Sequence, residues 1–147
     1  MTIRLQKILL ATDFSEPSLG AARYAIELGR RFGAEVHVLY VIEDPVVYLP
    51  PFENQGIPTK DELEAFARTA LDAWELPDGA AECVVERRFR HGTPPVQIIN
   101  DAKEQAVDLI VIGTHGRGAL AHLLMGSVAE RVVRGAPCPV LTVRSKG

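Results

Sequence analysis

A chain of 147 residues is long enough for one domain with a proper core, and 47% hydrophobic with 24% charged residues is globular composition rather than disorder. A formal net charge of -3 and a pI near 5.8 exclude a broad basic surface for nucleic acid. No apolar run approaches the roughly 20 residues of a membrane span and no charged-then-apolar leader opens the chain, so a cytoplasmic protein without membrane or nucleic-acid partner is expected.

Residues 5–12 (LQKILLAT) form a short apolar run, read as a buried strand. Ser15 is the expected cap of a first helix, with Pro17 in its first turn. Leu19, Ala22, Ala25, Ile26, Leu28 and Phe32 follow at helical spacing, and Gly33 is the stop. Residues 35–42 (EVHVLYVI) are the second strand, in which His37 reads as structural. Residues 43–58 carry four prolines and read as a long variable loop holding Tyr48 and Phe52.

Thr59 with Glu62 gives a capping-box start to a second helix, whose apolar stripe is Leu63, Phe66, Ala67, Ala70, Leu71 and Trp74. Pro77-Asp78-Gly79 is a turn, and residues 82–89 read as a third strand with charges that suit a sheet edge. Thr93-Pro94-Pro95 opens a third helix with Val96, Ile99, Ala102 and Ala106 in phase. Residues 108–113 (DLIVIG) are a central strand, 126–134 a fourth helix and 139–144 a last strand. Cys83 and Cys138 fall on expected strands as apolar filler, in no zinc-ligand spacing. His91 and His122 read as surface residues. The alternation of strand and helix implies an α/β fold: one domain over residues 1–147, a mostly parallel sheet with helices on both faces.

The chemistry concentrates in Gly113-Thr114-His115-Gly116-Arg117-Gly118 and Gly126-Ser127, spaced G-x2-G-x9-G-S. Glycines at a strand end are expected to take positive φ and let the backbone approach a ligand. A serine at a helix start, beside free N–H groups, suits an anion. The Walker pattern GxxxxGK[ST], the dinucleotide fingerprint GxGxxG and the GxSxG elbow are absent from the segment. A phosphate site without an evident base or Walker lysine favours binding over fast cleavage.

The stretch GTHGRGALAHLLMGSVAERVVRGAPCPVLTVR at 113–144 closely resembles the universal stress protein family. KILLATDFSEPS, HVLYVI and HGTPPVQII match as well, so the resemblance spans nearly the whole chain apart from the 43–58 loop. It implies an open five-stranded parallel sheet in the order 3-2-1-4-5, with the ligand crevice where the order reverses between the first and fourth strands. It also implies ATP binding, with AMP or ADP as the alternatives, together with Mg or Mn.

By that resemblance Ala11, Thr12 and Asp13 hold the nucleoside, and the backbone of Val41 meets adenine. Gly113, Gly116, Gly126, Ser127, Val128 and Ala129 line the phosphates, with His115 and Arg117 adding positive character. Asp13 reads either as a ribose or metal-phosphate ligand or as an Asx cap on the first helix. Arg117 reads equally as a solvated loop residue. Gly126→Asp is expected to remove nucleotide and leave the fold intact. A homodimer paired through the last strand, 139–143, is expected as well. Three functions stand open: an ATP-binding stress-response switch, a weak ATPase, and a nucleotide-free interaction module.

Overall fold

The computed structural model describes residues 2–43, 56–115 and 125–144. Five strands, β1 (Lys7–Thr12), β2 (Glu35–Ile42), β3 (Val84–His91), β4 (Leu109–Gly113) and β5 (Val140–Val143), form one sheet in the order β3-β2-β1-β4-β5. Every neighbouring pair is parallel; Ile8 of β1 pairs with Val36 of β2 and with Leu109 of β4. The expected order is therefore the one adopted.

The helices are α1 (Glu16–Phe32), α2 (Lys60–Ala73), α3 (Ala80–Cys83), α4 (Pro94–Glu104) and α5 (Ser127–Gly135). Because the central strands are covered on both faces, they are apolar without alternation: Ile8, Leu9 and Leu10 are all fully buried. Even-numbered β1 and β2 residues pack with Ala21, Ala22, Ala25 and Ile26 of α1 and Leu71 of α2. Leu9, Leu39 and Val41 pack with Ile98 and Ala102 of α4 and Ala129 and Val132 of α5. Among the described residues no helix is long and apolar enough to cross a membrane.

Several local expectations hold. Gly33 stops α1 at φ 65° and donates to the Gly29 carbonyl. The Glu62 amide donates to Thr59 Oγ1 at 3.2 Å, half of a capping box. β3 lies at a sheet edge, where its register against β2 shifts between Val36 and His37.

Others are corrected. Phe32 is 62% exposed because it falls in the last turn of α1, beyond the sheet. The buried face of α4 is Pro95, Ile98, Asp101 and Ala102, while Val96 is 40% exposed. Cys83 sits on neither neighbouring strand. Gly79, at φ 96°, starts the four-residue α3 that ends in Cys83 and delays β3 to Val84. Cys138 precedes β5 rather than lying in it. Of the two outer strands β5 is shorter than the expected 139–144, ending with its ladder to β4 at Val143, while β3 keeps eight residues but is shifted two positions along the chain.

Candidate functional site

The strand order reverses between β1 and β4, so the connections leaving their C-terminal ends part to opposite faces. A cleft of about 620 Å³ opens there. Its floor is Ala11, Thr12 and Asp13 of the β1 end, residues 39–43 of the β2 end, and residues 112–115 after β4. Gly126, Ser127, Val128 and Ala129 of the α5 start form one wall. Pro94 and Ile98 of α4 and Leu63 and Phe66 of α2 form the others. Each site residue expected from the sequence that falls within the described residues lines this cleft. Gly116 and Arg117 lie outside the described residues, as do Tyr48, Phe52 and His122.

Asp13 serves as a cap. Its Oδ1 accepts from the Ser15 amide at 2.9 Å and from Ser18 Oγ at 2.8 Å, and its own amide donates to Ser18 Oγ at 3.2 Å. Ser15 is the N-cap by backbone geometry but makes no side-chain cap bond. The carboxylate two residues earlier braces the helix entry instead, as an Asx turn onto the Ser15 amide and a bond to the Ser18 hydroxyl. Between them Phe14 stands at φ 65°, a left-handed conformation that is unusual for a bulky residue. Its amide donates to Thr12 Oγ1 at 2.8 Å, and its ring packs 4.7 Å from Tyr40 and 5.7 Å from Trp74. These contacts hold the strained turn that presents Thr12 and Asp13 to the cleft.

Gly113 and Gly126 do not take the positive φ expected of them, and the space around them gives another reason for glycine. Gly126 has φ -70°, and Gly113 is not in the left-handed region either. A Cβ on Gly113 would lie 2.9 Å from the Pro17 carbonyl, so this glycine lets α1 close onto the end of β4. A Cβ on Gly126 would lie 2.7 Å from the Thr114 carbonyl oxygen, which accepts the Gly126 amide. Gly126→Asp therefore presses on the Thr114 carbonyl as well as on any ligand, so a cost in stability is expected beside the loss of binding.

That close approach sets the α5 start directly over Thr114 and His115. The first bond of the helix runs from the Glu130 amide to the Gly126 carbonyl at 3.0 Å. The amides of Ser127, Val128 and Ala129 lie ahead of it, with no described residue accepting from them. Gly126 as N-cap brings no side chain of its own to them. His115 Nδ1 lies 3.2 Å from Thr114 Oγ1, while its Nε2 is buried with no partner among the described residues. A buried polar nitrogen left unpaired costs about 1–3 kcal/mol, so a ligand oxygen there is favoured. The three amides, the Ser127 hydroxyl and His115 Nε2 together make this end of the cleft able to receive an anion.

The rest of the lining is largely apolar, with Leu39, Val41, Ile42, Leu63, Phe66, Pro94 and Ile98, and with Glu43 as its charged member. The Ile42 carbonyl accepts from the Gly92 amide at 3.0 Å and so faces β3. By strand alternation the Val41 carbonyl faces the other way, where β1 has left the ladder after the pair Thr12 and Tyr40. Sequence reasoning missed Ser18, Leu63, Phe66, Pro94 and Ile98 as cleft residues. Only for Ser18 did a signal exist, a serine in the first turn of a helix whose apolar face is otherwise continuous.

Residues 4–144 match the model of the universal stress protein family. The chain belongs to this family. Universal stress protein MJ0531 of Methanocaldococcus jannaschii is 36% identical over 140 residues, covering 95% of this chain and 82% of the relative. A universal stress protein of Thermus aquaticus is 36% identical over 138 residues, covering 93% and 97%. The solved structure of universal stress protein UspA from Lactobacillus plantarum superposes with a TM-score of 0.80 at 28% identity, covering 97% of this chain and all of that one.

Two more distant universal stress proteins were solved with nucleotide. One is in complex with cAMP, with a TM-score of 0.63 and 24% identity over 97% of this chain and 99% of that one. The other, from Archaeoglobus fulgidus, is in complex with dAMP, with a TM-score of 0.61 and 21% identity over the same shares. At those identities the likeness is one of fold.

Proposed function

We propose that this universal stress protein binds an adenine nucleotide, ATP foremost, in the β1/β4 cleft and acts as a cytoplasmic, nucleotide-dependent switch in the stress response. The observation that carries this reading is the two-ended lining. Three helix-start amides, a serine hydroxyl and His115 Nε2, which has no partner among the described residues, stand at one end, and a largely apolar lining at the other. A flat apolar base joined to an anion matches both ends at once. The metal expected with the phosphates, Mg²⁺ or Mn²⁺, is assigned to Asp13 and the phosphate oxygens. Among the described residues no three His, Cys, Asp or Glu side chains gather to hold an ion without the ligand.

Slow hydrolysis is the most this lining supports. Phosphoryl transfer needs neutralised charge and a positioned nucleophile. The described cleft lining includes neither lysine nor arginine, and Asp13 Oδ1 is engaged by Ser15 and Ser18.

Mass analysis of ligand released from the purified, denatured protein tests the reading, followed by calorimetric titration of emptied protein with ATP and AMP. Adenine nucleotide in the released fraction and saturable ATP binding are expected. An empty fraction with no ATP heat and no ATP-induced rise in Tm overturns it in favour of a nucleotide-free module. Single-turnover cleavage of ATP far above the uncatalysed rate overturns the preference for a switch. The same proposal includes a homodimer paired through β5, which occupies a sheet edge. Light scattering that gives a monomer at micromolar concentration refutes that part.

A further inference from the structure

The apolar stripe of α2 divides. Ala67 and Leu71, one turn apart, are fully buried against the sheet, whereas Phe66 is 65% exposed and lines the cleft with Leu63. Phe66 lies about 100° around the helix from Ala67, and Leu63 and Phe66 share a face as an i, i+3 pair. An aromatic ring left this open, at the apolar end of a cleft and continuous with Ile98 and Pro94 across it, is unsatisfied surface.

The turn of α2 that carries the ring is tied to β3 on both sides. Two residues before it, Glu64 Oε1 meets His91 Nε2 at 2.7 Å, at the end of β3. Two residues after it, Arg68 Nη1 donates to the Arg87 carbonyl at 2.9 Å, with its guanidinium 5.5 Å from the Phe89 ring. Phe66 is thus held between two ties to β3, and neither tie uses its ring.

We infer that the Phe66 ring is the surface on which the nucleotide base lies, so that α2 makes the cleft select a purine over a pyrimidine. A purine offers the larger π face, and base stacking on an aromatic side chain is worth roughly five- to hundredfold in affinity. The inference rests on the nucleotide-binding reading above. Its sequence position hid it, since Phe66 falls within a helical stripe that otherwise reads as core.

The test is calorimetric titration of wild type, Phe66→Ala and Phe66→Trp with ATP and with CTP, plus inorganic tripolyphosphate as a competitor. Wild type is expected to prefer ATP to CTP. Phe66→Ala should lose roughly five- to hundredfold for ATP, drive the ATP/CTP ratio toward one and leave tripolyphosphate competition unchanged. Phe66→Trp should restore both affinity and ratio. Because the ring is mostly exposed, Tm without ligand should stay at the wild-type value. Wild type that binds no ATP refutes the nucleotide reading itself. Wild type that binds ATP while Phe66→Ala keeps its affinity and ratio overturns this inference alone. So does an equal loss for ATP, CTP and tripolyphosphate, or a fall in Tm that accounts for the lost binding.

Discussion

Asp101 of α4 and Arg88 of β3 meet as a bidentate ion pair against the sheet, Nε to Oδ2 at 2.9 Å and Nη2 to Oδ1 at 2.6 Å. Asp101 is 1% exposed. Arg88 Nη1 continues to His37 Nδ1 at 2.6 Å, and His37 Nε2 reaches Glu35 Oε2 at 3.1 Å. Arginine only donates, so His37 Nδ1 accepts and its proton is on Nε2. The chain from β2 through β3 to α4 ties down the helix whose first turns line the cleft.

Asp101→Ala leaves the Arg88 charge in place with its main partner gone. The expected cost is about 3–5 kcal/mol, read from urea unfolding. Asp101→Leu combined with Arg88→Met should recover most of that loss, because two apolar groups avoid the desolvation cost. A loss under about 1 kcal/mol in Asp101→Ala means the pair does not hold α4.

Much of the fold was legible because it is written in short-range patterns. β2 runs from Glu35 to Ile42 as read, since a mostly apolar run bounded by Gly33 and Pro45 has few alternatives. The Gly113 and Ser127 positions announced a loop and a helix start at one crevice. What stayed hidden depends on distant partners. Asp101 reads as a solvated helix residue until β3 brings Arg88 to it. Phe66 and Ala67 are both apolar, and only the tilt of α2 decides which one the sheet covers. Positive φ was the wrong expectation at Gly113 and Gly126, where the close neighbours are Pro17 and Thr114, neither of which local sequence can place.

Those obstacles make an expectation of their own. Gly113→Ala and Gly126→Ala each put a methyl under 3.0 Å from backbone, and overpacking of this kind costs about 1–3 kcal/mol. Both variants should show a lower Tm in the absence of any nucleotide. Either one with wild-type Tm and reduced ATP affinity would show that its glycine faces the ligand instead.

Burial pushes both thiols above the ordinary value of 9.0, with Glu82 adding to the effect at Cys83 and Asp108 at Cys138. A raised folded value favours the neutral thiol, so its contribution to stability is complete below the unfolded value and is lost as pH rises through the folded one. At pH 7.5 both sulfurs should stay protonated and alkylate more slowly than in urea, Cys83 the slower because it is buried. Mass analysis after a short iodoacetamide pulse checks this. Rapid native labelling of Cys83 would mean that α3 opens readily.

Ser127 separates phosphate binding from helix stability. It is exposed at the first position of α5, and the cap is Gly126, so its hydroxyl is not needed to start the helix. Ser127→Ala removes one hydroxyl donor to an anionic oxygen, a loss of about 1.5–3 kcal/mol, or roughly ten- to hundredfold in ATP affinity. Its Tm without ligand should match wild type. Ser127→Glu carries the contrast further. A carboxylate at a helix start is stabilised by the dipole by about 0.3–1 kcal/mol, so Tm should hold or rise. The same charge opposes a phosphate, so ATP binding should disappear. A purely structural serine would move both readouts in one direction. Divergence of the two, with AMP less affected than ATP, places the phosphates at the α5 start; parallel changes put them elsewhere.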